Sequence, residues 1–281
     1  MKVAALQMVS TPRVDDNLHQ AEALIAQAAQ AGAELVALPE YFCLMGLRDA
    51  DKLAIAEPLA DAKAPDPQRS PMQARLAQAA RQHGVWLIGG TLPLASDSEN
   101  RVFNSVLVFD PTGERVARYD KIHLFCFDDG ERRYDEAATL TPGHEPVAFN
   151  LRDRQGQDWR IGLGVCYDLR FPELFRALTR KQPCDLLVLP AAFTHTTGKA
   201  HWELLLRARA VENLCHVLAP AQGGLHENGR QTFGHSMVIG PWGDVLAVQP
   251  EGSGVVLADL DRKRQTTVRS QLPALTHRVM G

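Results

Sequence analysis

Short apolar runs that stop at a polar or Pro-containing turn, with stretches of helical periodicity between them, set the tightest limit on how this chain folds. Residues 3–8, 33–39, 85–92, 160–165, 185–190 and 217–221 are such runs and read as strands. Leu18, Ala21, Ile25 and Ala28 recur at helical spacing before Gly32, and Asp15 or Asp16 can cap that helix. Ser70 and Pro71 supply the cap and first residue of a second helix reaching His83. Pro172 opens a third helix, to Arg180, and residues 200–214 read as a fourth. Residues 102–110 and 114–124 flank Pro111-Thr112-Gly113 as the arms of a hairpin, and residues 254–259 add a last strand. Alternation of this sort builds a layered α/β fold, and the second half echoes the first. No Gly/Ser linker or block of like charge divides the chain, so residues 1–281 are expected to form one domain of two halves.

Composition narrows the function classes. With 281 residues, 45% of them hydrophobic, a sizeable core is available. A net charge of −3 argues against a general nucleic-acid binder and favours a small-molecule partner. Cys43, Cys126, Cys166, Cys184 and Cys215 are odd in number and widely spaced, so neither a disulfide framework nor a zinc ribbon is expected. Reduced thiols imply a cytoplasmic setting. The apolar run at the N-terminus is too short for a signal peptide, and no segment reaches the length of a membrane span.

Three of the strand runs deliver chemistry at or near their C-terminal ends, where ligands collect in open α/β sheets: Glu40, Lys121 and Cys166. The set suits covalent acyl transfer. Cys166 would attack a carbonyl carbon, Glu40 would carry the proton, and Lys121 would neutralise the oxyanion. The Tyr167 N–H, at a turn between strand and helix, would be a second oxyanion donor, and the helix start would favour a thiolate at Cys166. Each residue alone also has a plain reading: a capping or salt-bridging Glu40, a paired Lys121, a core-filling Cys166. A Cys–His dyad using His123, His195 or His235 is the rival mechanism, although His123 falls on the same side as Lys121 and suits an ordering role. His195 and His201 match no metal-ligand spacing, and Gly234-His235-Ser236 lacks the closing glycine of a serine elbow.

Glu40 lies in Leu38-Pro39-Glu40-Tyr41-Phe42 and Lys121 in Tyr119-Asp120-Lys121-Ile122-His123-Leu124-Phe125. Cys166 lies in Gly164-Val165-Cys166-Tyr167-Asp168-Leu169-Arg170-Phe171-Pro172-Glu173-Leu174. In this order the motifs resemble those of the nitrilase superfamily of carbon-nitrogen hydrolases, and the resemblance spans nearly the whole chain. It implies a four-layer α-β-β-α sandwich, a Cys166–Glu40–Lys121 triad, no metal or organic cofactor, and a homodimer or higher homo-oligomer. A second glutamate of the family falls at Glu136, with Glu131 close by. Arg170 follows Cys166 by four residues and either pairs with Asp168 or Glu173 or clamps a substrate carboxylate; the resemblance, to the superfamily's Nit branch, favours the clamp. Tyr167, Phe193 and Thr197 are further candidates for lining the pocket. Arg170-Phe171-Pro172, Ala221-Gln222-Gly223-Gly224 and Leu272-Pro273-Ala274 most resemble the subgroup that cleaves the amide of deaminated glutathione, giving 2-oxoglutarate and cysteinylglycine. An ω-amidase acting on 2-oxoglutaramate is the alternative, and a non-enzymatic binding module is disfavoured by the intact triad.

Overall fold

The computed structural model describes residues 1–128, 130 and 133–279. The first half runs β1 (Lys2–Gln7), α1 (Val14–Gln30), β2 (Leu35–Ala37), α2 (Pro71–His83), β3 (Trp86–Ile88), β4 (Leu92–Ala95), β5 (Val102–Phe109) and β6 (Arg115–Asp120). Three short strands follow: β7 (Cys126–Asp128), β8 (Arg133–Asp135) and β9 (Leu140–Thr141). The second half runs β10 (Ala148–Arg152), β11 (Asp158–Leu163), α3 (Pro172–Thr179), β12 (Leu186–Val188), α4 (His195–Asn213) and β13 (His216–Ala219). It ends with β14 (Gly223–Leu225), β15 (Gln231–Phe233), β16 (Ser236–Ile239), β17 (Val245–Gln249), β18 (Gly254–Asp259) and α5 (Arg262–Gln271).

Among the described residues, an eight-stranded sheet has the order β18-β1-β2-β3-β5-β4, with β6 and β9 also on β5, and a six-stranded sheet the order β10-β11-β12-β13-β16-β17. Each centres on three parallel strands, β1-β2-β3 and β11-β12-β13, flanked by antiparallel ones. The layers follow from side-chain alternation along each strand. Val3, Ala5, Leu35, Ala37 and Ile88 share a core with Ile161, Leu163, Leu186 and Leu218 of the other sheet. Their neighbours Ala4, Leu6, Val36 and Leu87 pack instead on Leu18, Ile25 and Ala28 of α1 and Leu76 and Ala80 of α2. Burying each Leu or Ile contributes about 1.5–3 kcal/mol, so an Ile25→Asp change would weaken the packing of α1 by at least that much. On the far side of the second sheet α3 comes so close that a Cβ on Gly162 would lie 3.2 Å from Leu178 Cδ1. The result is the helix–sheet–sheet–helix sandwich expected from the motifs.

Several element ends differ from expectation for local reasons. Asp15 and Asp16 lie in the first turn of α1, where they favour the helix dipole, while Arg13 holds the cap position. The run at 85–92 breaks at Gly90, whose φ is +57° and whose Cβ would fall 2.3 Å from Pro39 O. That glycine lets the end of β3 close onto the segment carrying Glu40. Helix α4 begins five residues early because Thr194 caps it, accepting from Thr197 N at 3.4 Å. Helix α5 lacked an apolar signal because it buries only Gln265 and Val268. No helix among the described residues is long and apolar enough to cross a membrane.

Candidate active site

Glu40 follows β2, Lys121 follows β6 and Cys166 lies just beyond β11, so both sheets contribute. Lys121 and Glu40 are 1% exposed. Lys121 Nζ donates to Glu40 Oε1 at 2.9 Å and to Glu136 Oε1 and Oε2 at 2.9 and 2.7 Å. Burial pushes the ammonium towards neutrality, but the carboxylates of Glu136 and then Glu40 outweigh it and hold Lys121 charged, above its ordinary pKa. Burial likewise opposes the charge on Glu136, and Lys121 overrides it, so Glu136 stays ionised below the usual carboxylate range. Tyr41 Oη and Phe125 N also donate to Glu136, at 2.9 and 2.7 Å. Glu40 is completed by Asn104 Nδ2 at 3.0 Å on Oε1 and Ala192 N at 3.0 Å on Oε2. Every oxygen of this array is therefore directed by a donor.

Cys166 sits in the left-handed region, with φ +47°, which costs a residue with a Cβ about 1–2 kcal/mol. Pro190 O accepts its N–H at 2.9 Å and fixes the turn. The strand ends at Leu163, and the turn is a five-residue 3-10 helix, Cys166–Arg170, set before the α-helix that Pro172 opens. The thiol is only 8% exposed, and burial followed by the charge of Glu40 pushes it up well beyond an ordinary thiol. Lys121 and a hydrogen bond from Ala192 N–H work against that rise without reversing it. Against the expected thiolate, burial favours the protonated thiol: one short turn supplies a small dipole, whereas burial is nearly complete. Ala192 N–H faces both Glu40 and Cys166, which puts the two side chains on one peptide group. Tyr167 N–H has no backbone partner among the described residues, as its place in the first turn requires.

Asp168 was not singled out as a site residue in the sequence, yet it joins the two sheets. Fully buried, it accepts from Tyr119 Oη at 2.6 Å, His123 N at 3.0 Å and Val165 N at 2.8 Å, and meets His123 Nδ1 at 2.7 Å. Tyr119 and His123 bracket Lys121, so one carboxylate ties the lysine segment to the cysteine turn. His123 also stacks on Phe171 at 3.7 Å, which occupies it structurally. Arg170, Tyr167, Phe193 and Thr197 all line one compact pocket with Cys166. Arg170 makes neither pair foreseen for it: its terminal nitrogens lie 3.3 and 3.4 Å from His201 Nδ1, and its guanidinium stands 5.8 Å and 5.5 Å from the rings of Tyr167 and Phe193. Glu131 lies outside the described residues.

Residues 2–270 match the family model described as carbon-nitrogen hydrolase. The chain belongs to the carbon-nitrogen hydrolases. A relative of this hydrolase named deaminated glutathione amidase, from Synechocystis sp., is 42% identical over 98% of this chain and 97% of its own. A Xenopus tropicalis protein named omega-amidase is 36% identical over 97% of this chain and 92% of its own. The crystal structure of the C. elegans NitFhit protein superposes on this hydrolase with a TM-score of 0.86 at 36% identity. That match covers 99% of this chain and 65% of the C. elegans one.

Proposed function

We propose that this hydrolase cleaves the amide of deaminated glutathione to 2-oxoglutarate and cysteinylglycine, using Cys166, Glu40 and Lys121 in a thioester mechanism, with Glu136 holding Lys121. The observation that carries this is a buried Glu40–Lys121–Glu136 array beside the buried thiol of Cys166. Glu40 takes the thiol proton as Sγ bonds to the amide carbon. Lys121 and Tyr167 N–H then face the oxyanion, a contribution of about 2.7–4 kcal/mol per donor. Glu40 returns the proton to nitrogen, the C–N bond breaks, and the amine leaves a thioester. Water, deprotonated by Glu40, attacks that thioester, the Sγ–C bond breaks, and the thiol regains its proton. Lys121 acts as a fixed cation throughout, because its two carboxylate partners keep it protonated.

Arg170 over the rings of Tyr167 and Phe193 is suited to the carboxylate of a keto acid, with Thr197 as a neighbouring hydroxyl. The omega-amidase name of the Xenopus relative makes 2-oxoglutaramate the second substrate reading. Comparing kcat/KM for the two amides decides between them: deaminated glutathione is expected to be the faster, and an equal or reversed order overturns the choice. Undiminished activity in Cys166→Ala would overturn the covalent route.

The same reading holds residues 1–281 to be one domain, works in the cytoplasm and assembles as a homo-oligomer. All five cysteines are free thiols, in keeping with a reducing compartment. Leu204 and Val211, one face of α4, are exposed beside the exposed Trp242, and Arg207 Nε ties that helix to Gly243 O at 2.7 Å. An apolar patch of this kind suits a second copy. A monomer in sedimentation would refute the assembly.

A further inference from the structure

Beside the compact Cys166 pocket lies a much larger cavity of about 850 Å³, which shares Phe125, Glu136 and Arg230 with it. The shared residues lie on the side of Glu136, while Arg170, Phe193 and Thr197 line only the smaller pocket. Acyl and amine portions of an amide must leave Cys166 in different directions, and the carboxylate-binding arginine claims the small pocket for the acyl portion. A primary amide releases ammonia, which needs no such room; a cavity of this size falls in the range, about 300–1,000 Å³, of sites that enclose whole small molecules.

We infer that this cavity is the subsite for a substituted leaving amine of dipeptide size, and that Arg48 at its rim takes the amine's terminal carboxylate. The inference rests on the amidase reading above and deepens it. The lining offers the right chemistry. Leu44, Met45 and Ala138 form an apolar surface for a side chain. Lys52 is matched by Asp49 at 2.6 Å, and Lys121 is taken up by Glu136 and Glu40, so neither lysine offers a free cation to the cavity. Arg48 differs from them. Asp51 accepts its backbone N–H at 2.9 Å and its Nε at 3.2 Å, which orients the guanidinium. The two terminal nitrogens have no partner among the described residues, and the side chain is 86% exposed. The turn beneath is closely built: a Cβ on Gly46 would lie 2.9 Å from Arg48 O and from Asp51 Cβ. A guanidinium oriented by one carboxylate, with its other edge open, is ready for a second.

The test crosses two protein variants with three amides: deaminated glutathione, its C-terminal carboxamide, and 2-oxoglutaramate. In the wild type, replacing the terminal carboxylate by carboxamide should lower kcat/KM about tenfold. In Arg48→Ala that discrimination should vanish; its persistence overturns the role of Arg48. Ala50→Trp, which places bulk in the cavity, should lower the kcat/KM ratio of deaminated glutathione to 2-oxoglutaramate at least tenfold, chiefly through KM. An unchanged ratio overturns the subsite. A wild type that hydrolyses 2-oxoglutaramate but not deaminated glutathione overturns the substrate reading itself, and the inference with it.

Discussion

The two sheets make unequal contributions to one site. The first brings charge, with Glu40 and Lys121 at strand ends locked to each other and to Glu136. The second brings the buried thiol of Cys166 on a bent backbone. Both use a non-glycine residue at positive φ where the strand ends, Tyr41 at +55° and Cys166 at +47°. In the first half the strained residue stands next to the functional one and braces it, since Tyr41 N donates to Thr91 Oγ1 at 2.9 Å while its hydroxyl holds Glu136. In the second half the strained residue is the functional one. Charges buried without water need partners to remain charges, whereas a thiol needs only to be aimed.

Substitutions can break this comparison. Cys166→Ala should remove at least about 10⁴-fold of kcat while leaving the melting temperature within a few degrees, since it deletes one atom from the second half. Lys121→Met should fail on both counts. It strands Glu40 and Glu136 as buried, unpaired carboxylates, so we expect a stability loss of about 3–5 kcal/mol by denaturant titration together with loss of turnover. A variant as stable as wild type would show that the charges of the first half do not depend on one another.

Asp168→Asn sharpens the comparison by loosening the joint between halves. It leaves one acceptor oxygen and turns an amide N–H toward the donors that the other oxygen served, at a cost of at least about 1.5–3 kcal/mol. As a positioning change it should depress kcat about tenfold or more with KM nearly constant; an effect confined to KM would place Asp168 in substrate binding instead. The smallest effect is graded. Burial raises the Cys166 and Cys215 thiols well above an ordinary thiol and the Cys43 thiol to about 12. Above the unfolded thiol range, near about pH 8.5, the unfolded chain binds fewer protons than the native one, so stability should fall as pH rises further. Glu136, lowered by Lys121, gives the opposite arm: stability present above the normal carboxylate range and lost as pH falls below it. Melting curves across pH should show both shoulders, and a flat alkaline arm would contradict the buried thiols.

The strand runs and the motifs holding Glu40, Lys121 and Cys166 were readable in the sequence because each is local. The rest depends on long-range closure. Asp168 meets Tyr119 and His123 across 49 and 45 residues, and Asn104 and Ala192 reach Glu40 across 64 and 152. No periodicity announces such contacts. The thiolate expectation erred for the same reason: a helix start is visible in sequence, while the burial that outweighs it is a property of the assembled sandwich.

The burial of Cys166 also bears on how the enzyme ages. A thiolate attacks a peroxide oxygen and expels hydroxide, the first step towards sulfenic and then irreversible sulfinic acid. On the proposed mechanism, a Cys166 kept buried until an acyl group is seated is held off that path between turnovers. Of the five cysteines Cys126 is the exposed one, so oxidants meet it first.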